Sequence, residues 1–519
     1  MTILVKQSDE SSISLSDQAK SENSSVLGVG SRLASGPAAE LVQTAFAREL
    51  ADQLALFRGM SMADLAHTVM LIEAGVIPPA EGSALLSALL ALHEYPPDFT
   101  PNPALGDLYT NREAWLASRT TAVGWLGAGR ARRESTTTGY RITVRSYVLT
   151  FASALIKCGS ALIERAHEYR SALMADYTYL QPAQPTTFGH YLLGFAYPLF
   201  RDLERLQALF NRTNQSPAGC GSVNGSRLPQ NRERLAELLG FDRLAQHARD
   251  AMWQPDSPIE TLSVLVSALV NMDRLAEDLQ IFATAEFDLV ELAEGHTRAS
   301  VIMPQKKNPY ALAYVRGATN ELIGMQASVA ALGRTPSGQV DNRIFIYGDV
   351  PRALEMATGV AELMSGVLAG MSFHSSLAAA RLESGFTTAT DLAETITLET
   401  GLDFRTAHRI VGRLVREATR TNRTMRELTT VDLDRAAQEI LRRPLYLSET
   451  AFTHATDPAT AIAARRGIGG AAPEPLSTML AECRSMLDAY TSWYNNATTK
   501  TAAAEESLLQ TVQRLCGGV

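Results

Sequence analysis

Apolar residues repeat at steps of three and four after Ser257, and this repeat restricts the chain to a fold built from long, packed helices. The repeat consists of Leu262, Leu265, Leu269, Met272, Leu275, Leu279 and Phe282. Such spacing places side chains on one stripe of an α-helix, which must be buried against neighbouring helices. Ser257 is predicted to cap this helix, with Pro258 at its first helical position and Glu260 completing a capping box.

The same periodicity recurs in other stretches, whereas strand signals are weak. These stretches are residues 138–174, 187–211 and 310–331. Several long amphipathic helices in one region indicate a helical bundle. The sequence therefore predicts an all-α fold with a central long-helix bundle. It also offers more apolar surface than one slender bundle buries, which is compatible with oligomerisation.

The length of 519 residues suits about three domains of roughly 150 residues each. The serine-rich and polar start of the chain predicts a flexible tail. The predicted units are a flexible N-terminal tail over residues 1–27, an N-terminal helical domain over 28–133, a central helical bundle over 134–378 and a C-terminal helical domain over 379–519.

Composition and charge disfavour several classes of function. The formal net charge is −8, whereas nucleic-acid and anionic-membrane surfaces need concentrated positive charge. The four cysteines form no C-x-x-C pair and the nine histidines lack ligand spacing, so neither a disulfide framework nor a metal site is predicted. With no signal-peptide pattern or long apolar run, we expect a cytoplasmic protein that acts on a small molecule.

A glycine-rich stretch, AGCGSVNGSR, contains Gly219, Gly221 and Gly225. It does not have the G-x-G-x-x-G spacing of a dinucleotide loop, and no strand is predicted before it. We interpret it as a connector between helices.

The segment SVIMPQKKNP, residues 300–309, combines groups that suit chemistry on a carboxylate substrate. Removing a proton beside a carboxylate creates a doubly charged intermediate, which needs fixed cations and hydrogen-bond donors. Lys306 supplies a cation and Asn308 supplies a hydrogen-bond donor. Ser300 can act as the base if neighbouring donors or cations stabilise its alkoxide. A solvated basic turn is the alternative interpretation of such a segment.

This segment resembles the signature of the aspartase/fumarase superfamily, G-S-x-x-M-x-x-K-x-N. The matching residues are Ser300, Met303, Lys306 and Asn308, with Ala299 in place of the glycine. Three other stretches resemble argininosuccinate lyases, namely residues 28–37 (GVGSRLASGP), 176–191 (DYTYLQPAQPTTFGHY) and 404–415 (FRTAHRIVGRLV). The resemblance covers roughly residues 28–475 and identifies the chain as similar to the argininosuccinate lyase branch.

The resemblance implies how the residues act. Ser300 would remove the proton beside a carboxylate, while Lys306, Asn308 and Thr178 would bind the dicarboxylate substrate. It also implies a homotetramer around a common helical core, with each active site built from three subunits, and it implies no cofactor.

Several positions depart from the pattern of that branch. Tyr179 stands where a histidine assists proton transfer, and Tyr109 replaces a second histidine, although Asn111 nearby is retained as a substrate contact. In the stretch that usually reads G-R-S-R-N-D, Arg132 is kept and Arg133 replaces a substrate-binding asparagine. A phenol keeps its proton at neutral pH, so Tyr179 can serve as an acid. The alternatives are a leaving group that departs unprotonated, and tyrosines that only fill space.

The residues that contact the arginine side of the substrate in argininosuccinate lyases fall on Val340, Phe345 and Gly348, and none is retained. Arg133 can form a bidentate hydrogen bond with an additional carboxylate or nitro-like group of the substrate, or it can pair with a structural carboxylate of the protein.

We therefore predict a carbon–nitrogen lyase that releases fumarate from an N-substituted aspartate, or runs the reverse addition, with altered nitrogen-side specificity. A true argininosuccinate lyase, a non-catalytic crystallin-like homologue and a carbon–oxygen lyase of the same superfamily are the alternatives. The leaving group, the favoured direction and the acid that replaces the histidine stay open.

Overall fold

A computed structural model describes residues 35–252, 255–335 and 343–517 of the chain. The predicted N-terminal tail and Val340 lie outside these ranges, as does most of residues 28–37.

Helices make up most of the described chain. In chain order they are α1 (Ala39–Leu41), α2 (Ala47–Gln53), α3 (Phe57–Glu73), α4 (Pro79–His93), α5 (Leu108–Ala117), α6 (Arg132–Glu168), α7 (Phe188–Thr213), α8 (Arg232–Leu238), α9 (Ala248–Met252), α10 (Asp256–Phe282), α11 (Tyr310–Leu332), α12 (Arg343–Gly370), α13 (Ser375–Ser384), α14 (Ala389–Thr400), α15 (Phe404–Arg420), α16 (Thr430–Leu441), α17 (Glu449–Thr456), α18 (Pro458–Ala464) and α19 (Pro473–Gly517). A π-helical turn covers Val42–Phe46, and short 3-10 turns cover Leu54–Leu56, Pro103–Leu105, Thr121–Trp125, Glu294–His296 and Met425–Glu427.

The strands form small two-stranded pairs. They are β1 (Leu173–Thr178), β2 (Gln181–Thr187), β3 (Gln215–Ser216), β4 (Arg243–Leu244), β5 (Val290–Glu291), β6 (Arg298–Ala299), β7 (Lys307–Asn308) and β8 (Ser372–Phe373). The antiparallel pairs are β1 with β2, β5 with β8 and β6 with β7, while β3 and β4 are parallel. The predicted all-α class is thus confirmed, with β-pairs only at the edges of the helices.

Five long helices, α6, α7, α10, α11 and α12, pack against one another as the central bundle. The apolar stripe predicted for α10 is buried at every position from Leu262 to Phe282. Helix α7 begins after Thr187, whose Oγ1 accepts a hydrogen bond from the backbone N–H of His190 at 3.1 Å. The predicted central bundle therefore forms through the stripes that the periodicity identified.

The predicted ends of two helices are wrong. Helix α10 begins at Asp256, so Ser257 lies inside it and makes no side-chain cap. Glu260 accepts a hydrogen bond from the Arg212 side chain, at 2.8 Å from Nε to Oε2, instead of completing a capping box. Helix α6 ends at Glu168, because the chain then turns into β1 at Leu173.

Helix α6 is long and apolar enough to cross a membrane, judged by length and composition alone. However, 61% of its apolar stretch is buried inside the protein, where it packs against α7 and α12. The central helix of a bundle meets the same criteria, and α6 occupies that place.

The described residues form a large hydrophobic core, a smaller one, and a minor cluster of Cys220, Ala245, Ala251 and Met252. The large core includes the bundle, α3, α4 and residues of α19 such as Leu476 and Val512. The smaller core lies between Leu392 and Ala455, within α14 to α17. The long last helix, α19, thus packs on the large core. The domain boundaries given above for the sequence remain predictions.

Asp64 on α3 joins three segments inside the large core. Its Oδ2 accepts a hydrogen bond from Arg112 Nη2 at 2.8 Å, and its Oδ1 accepts from Ser135 Oγ at 2.8 Å and from Arg130 Nη2. Asp64 and Arg112 are fully buried. Burial raises the pKa of Asp64, but the two guanidinium groups outweigh burial and hold the pKa below its usual value.

We expect Asp64→Asn to destabilise the protein by about 3–5 kcal/mol, because it leaves two buried guanidinium groups without their counter-charge. Asp98→Asn removes an exposed carboxylate that pairs with Arg119 and should change stability by no more than about 0.5 kcal/mol. Thermal unfolding at pH 7 and one protein concentration measures both. Equal small shifts in Tm would show that the buried network is not what holds these segments.

Candidate active site

The predicted site residues lie in three groups along the chain. Ser300, Lys306 and Asn308 belong to the loop between β6 and β7, and Thr178 and Tyr179 to the end of the β1–β2 hairpin. Asn111, Arg132 and Arg133 lie on α5 and at the start of α6. Each group has its own local geometry.

The loop that carries Ser300 is closed at its base by a short β-pair. Arg298 pairs with Asn308 and Ala299 with Lys307, and Asn308 Nδ2 donates to the Arg298 carbonyl at 2.8 Å. Ser300 and Lys306 are therefore held at opposite ends of one tight loop.

Hydrogen bonds also order the inside of this loop. Ser300 Oγ accepts from the backbone N–H of Met303 at 3.1 Å, and the backbone N–H of Lys306 donates to the Met303 carbonyl at 3.0 Å. The amide that faces Ser300 Oγ is the kind of donor that stabilises an alkoxide.

An ion pair ties the loop to the neighbouring β-pair. Lys307 Nζ lies 2.9 Å from Glu291 Oε1, and this hydrogen bond lowers the pKa of Glu291. The apolar side chains of Val301 and Ile302 are nevertheless exposed, at 102% and 83%. The base of the loop is thus anchored while its tip lies in solvent.

The β1–β2 hairpin ends in a strained two-residue turn. Thr178 pairs with Gln181, and the two residues between them, Tyr179 and Leu180, have φ of +54° and +57°. Such a turn favours glycine or asparagine at both positions. Any other residue type in this left-handed conformation lowers stability by roughly 1–2 kcal/mol. Tyr179 is fully exposed. Strain of this kind often accompanies function, since local stability alone does not favour it.

Asn111 lies in a buried segment at the start of α5. Its Nδ2 donates to the carbonyls of Gly106 and Asp107, and its Oδ1 accepts from the backbone N–H of Asn102 at 2.7 Å. Asp107 caps α5 by accepting from the Thr110 amide at 2.9 Å. The Asn111 amide therefore shapes the backbone of this segment.

Arg132 and Arg133 have different surroundings although they are adjacent. Arg132 is half exposed and its Nη1 lies 3.5 Å from Asp107 Oδ2, too far for a strong hydrogen bond. Arg133 is largely buried and donates to Glu49 Oε1 at 2.8 Å. Burial raises the pKa of Glu49, although Arg133 partly offsets this. Arg132 is thus the better placed of the two to meet a ligand from solvent.

Glu49 connects Arg133 to the other substrate-binding segment. Gln53 Nε2 donates to Glu49 Oε1 at 3.0 Å, and Gln53 Oε1 accepts from the backbone N–H of Leu108 at 3.0 Å. The start of α6 and the start of α5 therefore share one hydrogen-bonded chain.

Tyr109, which replaces a histidine of the family pattern, is buried. Burial raises the pKa of its phenol, and the Arg130 guanidinium lies 5.9 Å from the centre of its ring. A raised pKa means that the phenol of Tyr109 keeps its proton at neutral pH.

An ion pair fills the space beside Gly348. A Cβ at this position would lie 2.5 Å from Asp52 Oδ1 and 2.6 Å from Arg352 Nη1, and these two side chains pair at 2.6 Å. Phe345 is partly exposed, with Arg48 over its ring. A side chain at position 348 would therefore have to displace this ion pair.

The sequence did not point to several of the residues that organise this region. Glu49, Gln53 and Asp64 belong to no motif. The one available signal for Asp64 is an acidic residue inside an otherwise apolar helix, FRGMSMADLAHTVMLIE. The sequence pattern carries no signal for the partners of Glu49.

The hydrogen bonds and ion pairs given above hold each of the three groups without linking one group to another. Within the described ranges, no cluster of three His, Cys, Asp or Glu side chains is placed to hold a metal ion. The lysine, arginine and amide donors of these groups can bind carboxylates, and Ser300 and Tyr179 can transfer a proton.

Comparison with known families places two matches along the chain. Residues 106–324 match the family described as Lyase, and residues 386–463 match the family described as Argininosuccinate lyase C-terminal. Argininosuccinate lyase of Methanosarcina mazei is 33% identical over 443 residues, which cover 83% of this chain and 88% of the relative. The enzyme of Methanosarcina acetivorans is 31% identical, covering 93% of this chain and 97% of its own.

Solved structures resemble the whole fold. The crystal structure of EDDS lyase in complex with formate has a TM-score of 0.84 and 27% identity, covering 93% of this chain and 96% of its own. An EDDS lyase variant with bound fumarate also has a TM-score of 0.84. A 3-carboxy-cis,cis-muconate lactonizing enzyme from Pseudomonas putida, with 20% identity and a TM-score of 0.66, covers 84% of this chain and 95% of its own and shares the fold alone.

We expect Arg133→Ala to lower stability by about 1–3 kcal/mol, since it removes a buried charged donor of Glu49. Arg132→Ala removes a half-exposed side chain with a long ion pair and should cost no more than about 0.5 kcal/mol. Thermal unfolding of the two variants at one pH compares them directly. A loss of Tm that is as large for Arg132→Ala as for Arg133→Ala would contradict the assignment of Arg133 as the structurally held arginine.

Proposed function

The chain belongs to the argininosuccinate lyase-like branch of the aspartase/fumarase superfamily and is a carbon–nitrogen lyase, and we propose that it releases fumarate from an N-substituted aspartate or runs the reverse addition. The nitrogen substituent in this proposal differs from the guanidine of argininosuccinate. The observation that carries the proposal is the loop between β6 and β7, which presents Ser300, Lys306 and Asn308 together.

The proposed reaction begins with removal of a proton from the carbon beside a substrate carboxylate. Ser300 Oγ takes this proton as an alkoxide, and the Met303 amide that already donates to Ser300 Oγ stabilises the negative oxygen. The electron pair left on carbon moves into the carboxylate and gives an aci-carboxylate. Lys306 and Asn308 hold that group by charge and hydrogen bonding.

The carbon–nitrogen bond then breaks and fumarate forms. The electron pair of this bond leaves with nitrogen, which becomes a neutral amine if it receives a proton. In our proposal Tyr179 gives that proton, because its phenolic O–H is a donor that lies beside Thr178 at the end of the hairpin. Thr178 binds the dicarboxylate with Asn111, Arg132 and Arg133.

Altered specificity on the nitrogen side is supported by the region around Gly348. The Asp52–Arg352 pair occupies the space where a side chain at position 348 would lie, and Phe345 offers a ring where the family has a polar contact. The structures of EDDS lyase cover nearly the whole fold at 27% identity, which supports a substituted nitrogen other than a guanidine. A true argininosuccinate lyase is the second candidate, favoured by the 33% identical relative.

We also propose a homotetramer with active sites shared between subunits. Two of the three groups of site residues carry apolar side chains that project into solvent, Leu180 from the hairpin and Val301 and Ile302 from the loop. Exposed apolar side chains at functional loops fit surfaces that another subunit covers.

We expect Ser300→Ala to abolish fumarate release while leaving Tm and the oligomeric state unchanged, because it removes the base and no core contact. Ultraviolet detection of fumarate from a panel of N-substituted aspartates, argininosuccinate among them, measures turnover. Ser87→Ala is the matched control, since the Ser87 hydroxyl is exposed and donates only to the Ser83 carbonyl of its own helix.

Serine-dependent fumarate from argininosuccinate would favour the second candidate over altered specificity. Substantial turnover by Ser300→Ala would disprove the assignment of the base. Silence of the wild-type protein across the whole panel would point either to a substrate outside the panel or to the non-catalytic, crystallin-like alternative.

We expect light scattering to give a mass close to four times that of the 56.2 kDa chain, because the separate groups need neighbouring subunits to form one site. Ser300→Ala serves as a control and should have the same mass. A monomer at the concentration used for turnover would contradict the shared site.

A further inference from the structure

Two buried oxygen atoms near Gly219 have no hydrogen-bond partner among the described residues. One is Oε2 of Glu134, a residue that is 2% exposed, and the other is Oε1 of Gln230. A Cβ built on Gly219 would lie 3.3 Å from this Gln230 oxygen. Buried polar atoms without partners are rare, and two on side chains that both lie beside one glycine call for a common explanation.

The remaining polar atoms of the same two side chains bind backbone groups. Glu134 Oε1 accepts from the Gly219 amide at 2.7 Å, and Gln230 Nε2 donates to the Gly129 carbonyl at 2.5 Å. The glycine-rich connector is therefore fastened at two points to the segment that enters α6. We call Glu134, Gln230, Gly219 and Gly129 the connector clamp.

Both glycines of the connector clamp are required by its geometry. Gly219 and Gly129 have φ of +79° and +74°, a conformation that side chains with a Cβ rarely adopt. A Cβ on Gly219 would also lie 2.7 Å from Arg232 Cγ, and one on Gly129 would overlap Gln230. A side chain at either glycine would therefore displace the groups that form the connector clamp.

One proton satisfies both unpartnered oxygens. A neutral Glu134 has a hydroxyl on Oε2 that donates to Gln230 Oε1, directly or through one water, while Oε1 keeps its bond to Gly219. A carboxylate here leaves both Oε2 and Gln230 Oε1 as buried acceptors without a donor. We propose that Glu134 works as a protonated positioning residue, which closes the connector clamp onto Gln230 and so sets where Arg132 and Arg133 lie.

The charges around Glu134 support this protonation. Burial raises the pKa of Glu134 to about 7, against the opposing effects of the Gly219 and Gly221 amides, Arg130 and Arg232. From the connector, the Cys220 thiol also faces Glu134, and burial raises the pKa of that thiol to about 11. Because the pKa of Glu134 is raised to about 7, the connector clamp is closed below about pH 7. It loosens as the pH rises through that pKa and Glu134 loses its proton.

The consequence for the active site rests on the proposed function. Arg132 and Arg133 directly precede Glu134 in the first turn of α6, so a shift of the Glu134 side chain moves the turn that presents both arginines. If these arginines bind the dicarboxylate, loosening the connector clamp raises KM more than it lowers kcat, because binding geometry is lost while Ser300 is untouched.

The test is the pH dependence of Glu134→Gln relative to wild type. A glutamine reproduces the neutral acid, since its Oε1 accepts from Gly219 and its Nε2 donates to Gln230 Oε1, and it does not titrate. We expect the ratio of variant to wild-type kcat/KM to rise roughly three- to tenfold between about pH 6 and about pH 8.5, with most of the change in KM. Glu233→Gln makes the same change on an exposed glutamate of α8 and should give a flat ratio.

Parallel pH profiles for Glu134→Gln and wild type would overturn the proposal, as would a Glu134→Gln variant that folds with native Tm but is inactive at every pH. Gln230→Leu removes the acceptor and the donor to Gly129, and we expect its KM to be raised at both ends of the pH range. A normal KM for Gln230→Leu at about pH 6 would also count against the connector clamp.

A second readout does not depend on turnover. Amide hydrogen exchange of the peptide over residues 217–231 should speed up from about pH 6 to about pH 8.5 in wild type, beyond the intrinsic rise shown by peptides of α10, and not in Glu134→Gln. If the wild-type protein releases no fumarate from any substrate, the proposed function fails while this comparison still decides whether Glu134 closes the clamp. Equal exchange in both proteins would show that it does not.

Discussion

The active-site region depends on one buried carboxylate that binds two buried guanidinium groups. Asp64 lies on α3, and its partners Arg112 and Arg130 lie on α5 and in the turn before α6. A charge in the interior is tolerated only when opposite charges and hydrogen bonds compensate its lost hydration. Meeting that requirement forces the segment around Asn111 and the segment around Arg132 to meet at α3. The predicted substrate-binding residues of both segments are positioned as a consequence of this pairing.

The bundle gives the functional segments a rigid base, and the segments themselves are loops and helix starts. The loop that carries Ser300 is closed by β6 and β7, Tyr179 lies on a strained hairpin end, and Arg132 begins α6. This division suits catalysis, because long packed helices hold their ends at fixed distances while short loops are free to present polar groups. The connector clamp extends the same arrangement, since Glu134 fastens the start of α6 to a loop that periodicity alone describes only as a connector.

Much of the fold was predictable because its signals are local. The stripe from Leu262 to Phe282 predicted α10 as a buried helix, and the stretch over residues 310–331 predicted α11 nearly to its ends. The errors lie at the helix ends. Asp256 extends α10 before Ser257, and Glu260 turns to Arg212 on α7, a partner distant in sequence that no local capping rule contains. The parallel β3–β4 pair, in which β3 precedes the glycine-rich connector and β4 follows it, was missed because each strand has two residues and no periodicity to detect.

By itself the sequence determined the helical class, the stripes that form the bundle, and the motif residues that connect the chain to its superfamily branch. These properties reside in spacing and residue type, which are visible without coordinates. Only the tertiary structure decided that Arg133 pairs with Glu49, that the Asp52–Arg352 pair fills the space beside Gly348, and that the Glu134 and Gln230 side chains both lie beside Gly219. The reason is that the pairing of a charge or a proton depends on distances and burial between residues far apart in the chain, and only the packing of the folded chain sets those distances.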